Sequence, residues 1–221
     1  MMGEPDRTLH AQPAPPLVAR RQPAQPQSRE TVAKIREAAA WIIETEGLPR
    51  LNSNRIAKVA GVSVATLYKF FPNKQAVLAS VLEEWNAEVE RAQAQLVRLN
   101  PTATLAARMK DWFRHISETP AAHVLVTSKV LQFYPELRAI DEARRTRAVS
   151  LIIDALRRDG SALDDTAMAQ AAKWINELGT YLLTKIVETQ GEGREALMDW
   201  SLMVMRAAIA DAMTGGEMSG G

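Results

Sequence analysis

The stretch from Ser53 to Lys74 combines hydroxyl, amide and cationic side chains with a regular spacing of apolar residues. Residues 61–74 contain no acidic side chain, whereas Tyr68, Lys69 and Lys74 supply a phenol and two ammonium groups. Such groups are common partners of the phosphate oxygens along a nucleic-acid backbone. The stretch therefore predicts contact with DNA through a surface that carries no repelling charge.

No comparable set of residues indicates catalysis or a metal site. The three histidines, His10, His115 and His123, lack metal-ligand spacing, and the chain has no cysteine and no glycine-rich phosphate loop. The pair Asp164-Asp165 is better explained as a helix start, where negative charge is favoured. We therefore predict that the chain is not an enzyme and takes no cofactor and no metal.

Two short helices around a tight turn would position the side chains of residues 53–71. Ala57 is small enough for a second helix to cross closely, Gly61 stands where the chain reverses, and Ser63 is placed to cap the second helix. The apolar positions of this motif are Ile56, Ala60, Val62, Leu67 and Phe70 or Phe71. This pattern predicts a helix-turn-helix, whose second helix enters the major groove of DNA.

The outward side chains of the motif are the candidate DNA-binding residues. Val64 and Ala65 begin the second helix, so base reading by them would be contact with thymine methyl groups. Lys74 lies at the start of the next helix, where it is expected to hold the DNA backbone. The predicted DNA-binding set is Ser53, Asn54, Arg55, Ser63, Val64, Ala65, Thr66, Tyr68, Lys69 and Lys74.

A family pattern runs through this part of the chain. Its residues are Ile35, Ala38, Ala39, Gly47, Ile56-Ala57, Ala60-Gly61-Val62-Ser63, Thr66-Leu67-Tyr68, Phe71, Lys74 and Leu78. With these residues, the segment from Arg29 to Trp85 resembles the DNA-binding domain of the TetR/AcrR family of repressors. The resemblance implies a homodimer bound to a pseudo-palindromic, double-stranded operator.

The sequence departs from the common pattern of that family at two positions. Ala65 stands where many members have glycine or a similar small residue, and Phe70 stands where many have histidine. Because a phenylalanine cannot donate a hydrogen bond to a phosphate, we expect one backbone contact to be missing here.

The charge distribution agrees with a DNA-facing N-terminal part. The net charge of the whole chain is only +1, but residues 20–74 carry +6 and residues 75–221 carry −4. A basic end on a near-neutral chain favours contact with a nucleic acid, although chance scatter over a solvated surface would also produce some asymmetry.

Helical periodicity continues after Ser28, and no stretch alternates with the period of a strand. We predict an all-α fold of about nine helices, with an N-terminal three-helix helix-turn-helix domain and a C-terminal helical domain for ligand binding and dimerisation. Ser28, Asn73 and Asp164 are the predicted helix caps outside the motif. The predicted divisions are a disordered Pro/Gln-rich tail at 1–27, the DNA-binding domain at 28–75 with the linking helix 73–100, the larger domain at 76–214, and a flexible tail at 215–221.

The family resemblance implies that the larger domain binds a small molecule and forms the dimer. The candidate pocket residues are mainly aromatic or apolar, although such residues at helical spacing are also typical of a plain core: Met109, Trp112, Phe113, Ile116, Phe133, Tyr134, Trp174, Glu177 and Tyr181. The candidate dimer residues lie on the last two helices, where broad apolar coverage predicts burial on two sides: Ile175, Leu182, Leu183, Trp200, Met203, Val204 and Ala207.

The sequence thus predicts a cytoplasmic, DNA-binding transcriptional regulator that a small apolar ligand releases from its operator. No apolar stretch approaches the roughly 18 residues of a membrane span, and no apolar leader segment is evident. Three alternatives stay open from the residues alone. These are a DNA-binding regulator without a small-molecule ligand, an activator, and a helical enzyme that merely contains a helix-turn-helix.

Overall fold

The computed structural model describes Leu17 and residues 26–118, 130–189 and 191–215. Within these residues all regular secondary structure is helical, which confirms the predicted all-α fold. The helices are α1 (Pro26–Thr45), α2 (Ser53–Val59), α3 (Val64–Phe70), α4 (Lys74–Leu99), α5 (Leu105–Ser117), α6 (Arg138–Arg158), α7 (Asp165–Glu188) and α8 (Gly193–Thr214), with short 3-10 turns at Leu48–Arg50 and Pro135–Leu137.

The first core joins α1, α2, α3 and the beginning of α4. Ile35, Ile56, Leu67 and Leu78 are completely buried in it, one from each of these four helices. Burial of large apolar side chains is the main favourable term in folding, at about 1.5–3 kcal/mol for each. These residues therefore fix the position of α3, the helix predicted to enter the major groove.

Two of the helix caps predicted outside the motif, Asn73 and Asp164, are confirmed. Asn73 accepts a hydrogen bond from the N–H of Ala76 at the start of α4, and Asp164 accepts one from Ala167 at the start of α7, both at 2.8 Å. Ser28 is not a cap, because α1 already begins at Pro26, and proline is favoured in the first helical turn. The described part of α1 therefore starts two residues before the predicted cap.

The second core joins α5 to α8 in the larger domain. Its buried members include Phe113 on α5, Leu156 on α6, Ile186 on α7 and Met205 on α8. Helix α7 packs between α6 and α8 and therefore contributes most to this core.

The chain ahead of α6 connects the two cores. Val130 and Leu137 are completely buried in the first core, although both lie after α5 in the sequence. The amide of Asn86 on α4 also donates to the carbonyl of Ile140 on α6, at 3.3 Å. A helix was predicted at about Val124–Phe133, and of that segment only 130–133 lies in the described residues, where it is helical.

The two predicted tails lie almost entirely outside the described residues. Of the N-terminal one, Leu17 is described and packs against the first core, while residues 26 and 27 belong to α1. None of the described helices is both long and apolar enough to cross a membrane.

Candidate DNA-binding surface and internal cavity

The turn between α2 and α3 is closed by backbone hydrogen bonds. Gly61 adopts φ +66°, and its N–H donates to the carbonyl of Lys58 at 3.3 Å. The N–H of Val62 donates to the carbonyl of Ala57 at 3.0 Å. This pair of bonds is the Schellman motif, which requires a left-handed residue at its centre and so favours glycine. The turn therefore fixes the angle at which α3 leaves α2.

Ser63 caps α3 as the sequence predicted. Its hydroxyl oxygen accepts from the N–H of Thr66 at 2.9 Å and lies 2.8 Å from the Thr66 hydroxyl. A serine at this position satisfies one of the free N–H groups at the start of the helix. In this structure Ser63 and Thr66 are therefore hydrogen-bonded to each other. Contact of either residue with DNA would use a hydrogen-bonding position of its hydroxyl group that this pair leaves open.

Helix α3 has one buried and one exposed face. Leu67 and Phe70 are buried, whereas Ala65, Tyr68 and Lys69 are exposed to solvent. Val64 and Thr66 are half-buried at the start of the helix. The exposed face carries an apolar methyl group, a phenol and an ammonium group, so it offers methyl contacts and phosphate partners. Burial of Phe70 agrees with the expectation that this residue makes no phosphate contact.

The predicted residues of α2 differ in their availability. Asn54 is exposed and Ser53 is half-buried at the start of the helix. Arg55 instead forms an ion pair with Glu46, in which the Arg55 Nε donates to a Glu46 carboxylate oxygen at 2.9 Å. This hydrogen bond lowers the pKa of the Glu46 carboxyl, and burial opposes it. Arg55 thus ties α2 to the end of α1, and its contact with DNA stays a prediction.

Lys74 lies beside the segment that precedes α6. Its ammonium nitrogen is 5.6 Å from the centre of the Tyr134 ring, within the range of a cation–π interaction. Tyr134 was predicted to line a ligand pocket, but it is half-buried against the first core. The structure therefore places Tyr134 next to a candidate DNA-binding lysine.

A cavity that is open on one side lies in the larger domain between α4, α5, α6 and α7, and its volume is about 160 Å³. Met109, Trp112 and Phe113 line it, as predicted. Most of its other lining residues are apolar, and its polar groups include Gln93, Asn176 and Thr180. A mainly apolar wall with a few polar groups is typical of small-molecule sites.

Six of the predicted pocket residues do not line this cavity. Ile116 lies in a separate small cluster with Trp85, Val89, Leu183 and Val187. Phe133 is exposed, and Tyr134 contacts Lys74. Trp174 and Tyr181 are exposed on the outer surface, and Glu177 forms a surface ion pair with Arg145.

The predicted dimer residues divide between the inside and the outside of the subunit. Ile175, Leu182 and Leu183 are buried within the larger domain, which corrects their assignment to an interface. Trp200, Met203 and Ala207 are exposed on α8, and Val204 is half-buried. The exposed aromatic residues of α7 are Trp174 and Tyr181, at 62% and 60% exposure. The sequence-based prediction therefore assigned the buried face of α7 to the interface and its exposed aromatic face to the pocket.

Two arginines in the cavity wall were not predicted. Arg108 on α5 and Arg144 on α6 both line the cavity. Arg144 pairs with Asp141 at 2.8 Å, and its guanidinium carbon lies 5.2 Å from the centre of the Trp85 ring. The one available signal was that Arg108 falls one turn before Trp112, on the face of a helix already assigned to the pocket.

Comparison with known proteins identifies relatives of both domains. Residues 35–81 match the family model for bacterial regulatory proteins of the tetR family. The HTH-type transcriptional regulator EthR of Mycolicibacterium smegmatis is 24% identical over 165 residues, which cover 71% of this chain and 74% of that protein.

Solved structures share the fold across most of the chain. The fatty acid degradation regulator FadR from Bacillus halodurans has a TM-score of 0.65 at 21% identity, covering 85% of this chain and 97% of that chain. A bacterial regulatory protein in the tetR family from Rhodococcus RHA1 has a TM-score of 0.65 at 17% identity, covering 83% and 97%. The likeness therefore extends from the helix-turn-helix through the larger helical domain.

Proposed function

Since this chain belongs to the tetR family of bacterial regulatory proteins and is a DNA-binding transcriptional regulator, we propose that it is a repressor that a small molecule releases from its operator. The observation that carries the proposal is the geometry of α3. Its apolar face packs in the first core, and its other face presents Ala65, Tyr68 and Lys69 to solvent. A helix supported in this way is suited to the major groove.

The DNA-contacting roles follow from the chemistry of each exposed group. Tyr68, Lys69 and Lys74 would bind phosphate oxygens and set the position of the protein on the duplex. Ala65 offers only a methyl group, so its base contact would be with a thymine methyl. Asn54 and Thr66 are the remaining candidates for hydrogen bonds to bases. With so few base readers, we expect DNA shape to supply part of the specificity.

We also propose that a second copy of the chain covers the outer face of α7 and α8. This surface carries four exposed large apolar residues: Trp174, Tyr181, Trp200 and Met203. Exposed patches of this kind mark interaction surfaces, and an isologous dimer would bury the same patch on both subunits. Two copies would then present two α3 helices to successive major grooves of a pseudo-palindromic operator.

The cavity is the proposed ligand site, and α6 is the proposed link to DNA. Helix α6 lines the cavity at Arg144 and begins beside Leu137, which is buried in the first core. A ligand that prefers one position of α6 would shift the dimer towards the state with that position. The loss of operator affinity cannot exceed the factor by which the ligand prefers that state over the DNA-binding state.

The DNA-binding part of the proposal is tested by selecting bound sequences from random DNA with the full chain. Recovery of a pseudo-palindromic motif is expected, followed by binding measurements over a range of salt concentrations. Lys69→Gln should lower affinity and reduce the steepness of the salt dependence by about one phosphate contact. Lys173→Gln, at an exposed lysine of α7, is the matched control and should leave both unchanged. Equal behaviour of the two variants would refute the role of α3.

The ligand part is tested separately by thermal shift with a panel of apolar compounds. A compound that binds the folded protein raises its melting temperature. If compounds bind but leave the operator complex intact, a regulator that does not respond to this cavity becomes the better interpretation. A reporter gene placed behind the selected operator distinguishes repression from activation.

A further inference from the structure

The cavity contains a positive charge that its walls do not neutralise. None of the described residues that line the cavity is acidic, whereas two of them are arginines. Arg144 is compensated, because it pairs with Asp141 and stacks on Trp85. Arg108 has no carboxylate within ion-pair distance among the described residues.

The hydrogen bonding of Arg108 is incomplete. One terminal nitrogen donates to the carbonyl of Pro101 at 2.8 Å, and the Nε–H is buried without an acceptor in the described part of the chain. Nearby Asp159 is already used, since its carboxylate accepts from the N–H of Leu105 at 2.6 Å and from Arg158 at 2.9 Å. A buried donor without a partner costs about 1–3 kcal/mol, and the described residues therefore leave the hydrogen-bonding capacity of this guanidinium partly unused.

Burial also affects the charge of this guanidinium. Desolvation lowers the pKa of Arg108, Arg158 lowers it further, and Asp159 opposes both. An arginine nevertheless keeps its proton in proteins, so this half-buried guanidinium stays charged in the cavity wall. An anion beside it would stabilise that charge.

The two arginines stand at opposite ends of the cavity. Arg144 stacks on Trp85, whereas Arg108 bonds to Pro101, just beyond the end of α4. The lining residues of α4 run from Trp85 to Val97, which corresponds to about 18 Å along the helix. Between these ends the wall is mainly apolar and includes Trp112. The shape favours a long molecule with its charge at one end.

Building on the proposed ligand site, we propose that the cavity binds an amphipathic organic anion whose acidic head group pairs with Arg108. Its apolar tail lies along Trp112 towards Trp85. The head group is a carboxylate or another anion that presents two acceptor oxygens side by side, because a guanidinium forms two parallel hydrogen bonds with such groups. A neutral or cationic molecule of the same length would leave the Arg108 charge uncompensated.

The test compares three probes of equal chain length on the full protein: dodecanoate, dodecan-1-ol and dodecyltrimethylammonium. Calorimetric titration below the concentration at which each probe forms micelles should give a dissociation constant for dodecanoate that is roughly ten- to a hundredfold lower than for dodecan-1-ol. The cation should bind more weakly than the alcohol. Equal affinity for the acid and the alcohol, or no binding of the acid, would overturn the proposal without any variant.

Variants then assign the preference to one residue. Arg108→Gln should remove most of the difference between dodecanoate and dodecan-1-ol, and Arg108→Lys should keep part of it. Arg114→Gln, at an exposed arginine on the same helix, is the matched control and should keep all of it. If Arg108→Gln keeps the full difference, the head group lies elsewhere and the proposal is wrong.

Operator release separates this inference from the proposed function. If dodecanoate binds more tightly than dodecan-1-ol and also dissociates the operator complex, the anion site and the proposed release are both supported. Dodecanoate that binds with the preference but leaves the complex intact supports the anion site and contradicts release by this ligand class. Operator binding itself is measured without any probe, so its failure is recognised independently.

Discussion

Gly179 offers a sharp test of the cavity wall, because it lies in the interior of α7 and is buried. A methyl group added there would lie 3.6 Å from the Met205 Cε and 3.8 Å from a ring carbon of Phe113, which are ordinary contact distances. Replacing glycine by alanine in a helix interior is favourable by about 1 kcal/mol. Burial of the added methyl contributes up to about 0.8 kcal/mol more.

Gly179→Ala should therefore raise the free energy of unfolding by about 1–2 kcal/mol. For a chain of this size, each kcal/mol raises the melting temperature by roughly 2–4 °C. The measurement is urea and thermal unfolding at one fixed protein concentration, since assembly would also affect the midpoint.

Two other glycines provide matched controls for the same substitution. Gly61→Ala should lower stability by about 1–2 kcal/mol, because φ is +66° although the space around it is open. Gly193→Ala, at the first residue of α8, should change stability little, since its methyl would only touch Thr189 at 3.7 Å. A Gly179→Ala protein less stable than the wild type would refute the described spacing of Met205 and Phe113.

Further predictions follow from single contacts. Asn52→Ala should lower the free energy of unfolding by about 1 kcal/mol, because the Asn52 side chain caps α2 by accepting from Arg55 N–H at 2.9 Å; unchanged urea unfolding would contradict this. Met203→Glu should shift the mass measured by light scattering from dimer towards monomer, because it places charge on the proposed interface; a dimer at the same concentration would exclude that face. Lys74→Ala should reduce the slope of operator affinity against salt by about 0.9, and an unchanged slope would argue against its phosphate contact. The Arg55 hydrogen bond holds the pKa of Glu46 below its ordinary value of 4.5, so the stabilisation is present above that value and is lost as the pH falls through the lowered pKa. Wild-type stability should therefore fall more in acid than that of Glu46→Gln, and parallel pH profiles would refute this.

The DNA-binding motif was predictable because its determinants are local. The turn depends on Gly61 and its neighbours within five residues, and the cap of α3 depends on Ser63 and Thr66. Periodicity also distinguished buried Leu67 from exposed Tyr68, because a seven-residue helix with one apolar face has only one way to pack. The cap of α2 by Asn52 was missed, since Ser53 and Asn54 beside it are equally good capping types.

The larger domain was less predictable because α7 is apolar on more than one face. Spacing alone does not tell whether the face with Ile175 and Leu182 or the face with Trp174 and Tyr181 points inward. The structure places the aliphatic face inside and the aromatic face outside. The arginines of the cavity were equally hidden, because an arginine on a helix is normally interpreted as a solvent-exposed residue.

The burial of Val130 and Leu137 in the first core has a consequence for cooperativity. A fragment that ended before α5 would lack both side chains and would expose the apolar surface of the first core that they cover. The unit that folds and unfolds together is then larger than the DNA-binding domain defined by its sequence pattern. Unfolding of the DNA-binding domain is therefore coupled to unfolding of residues 130–137, and a single transition should report on both.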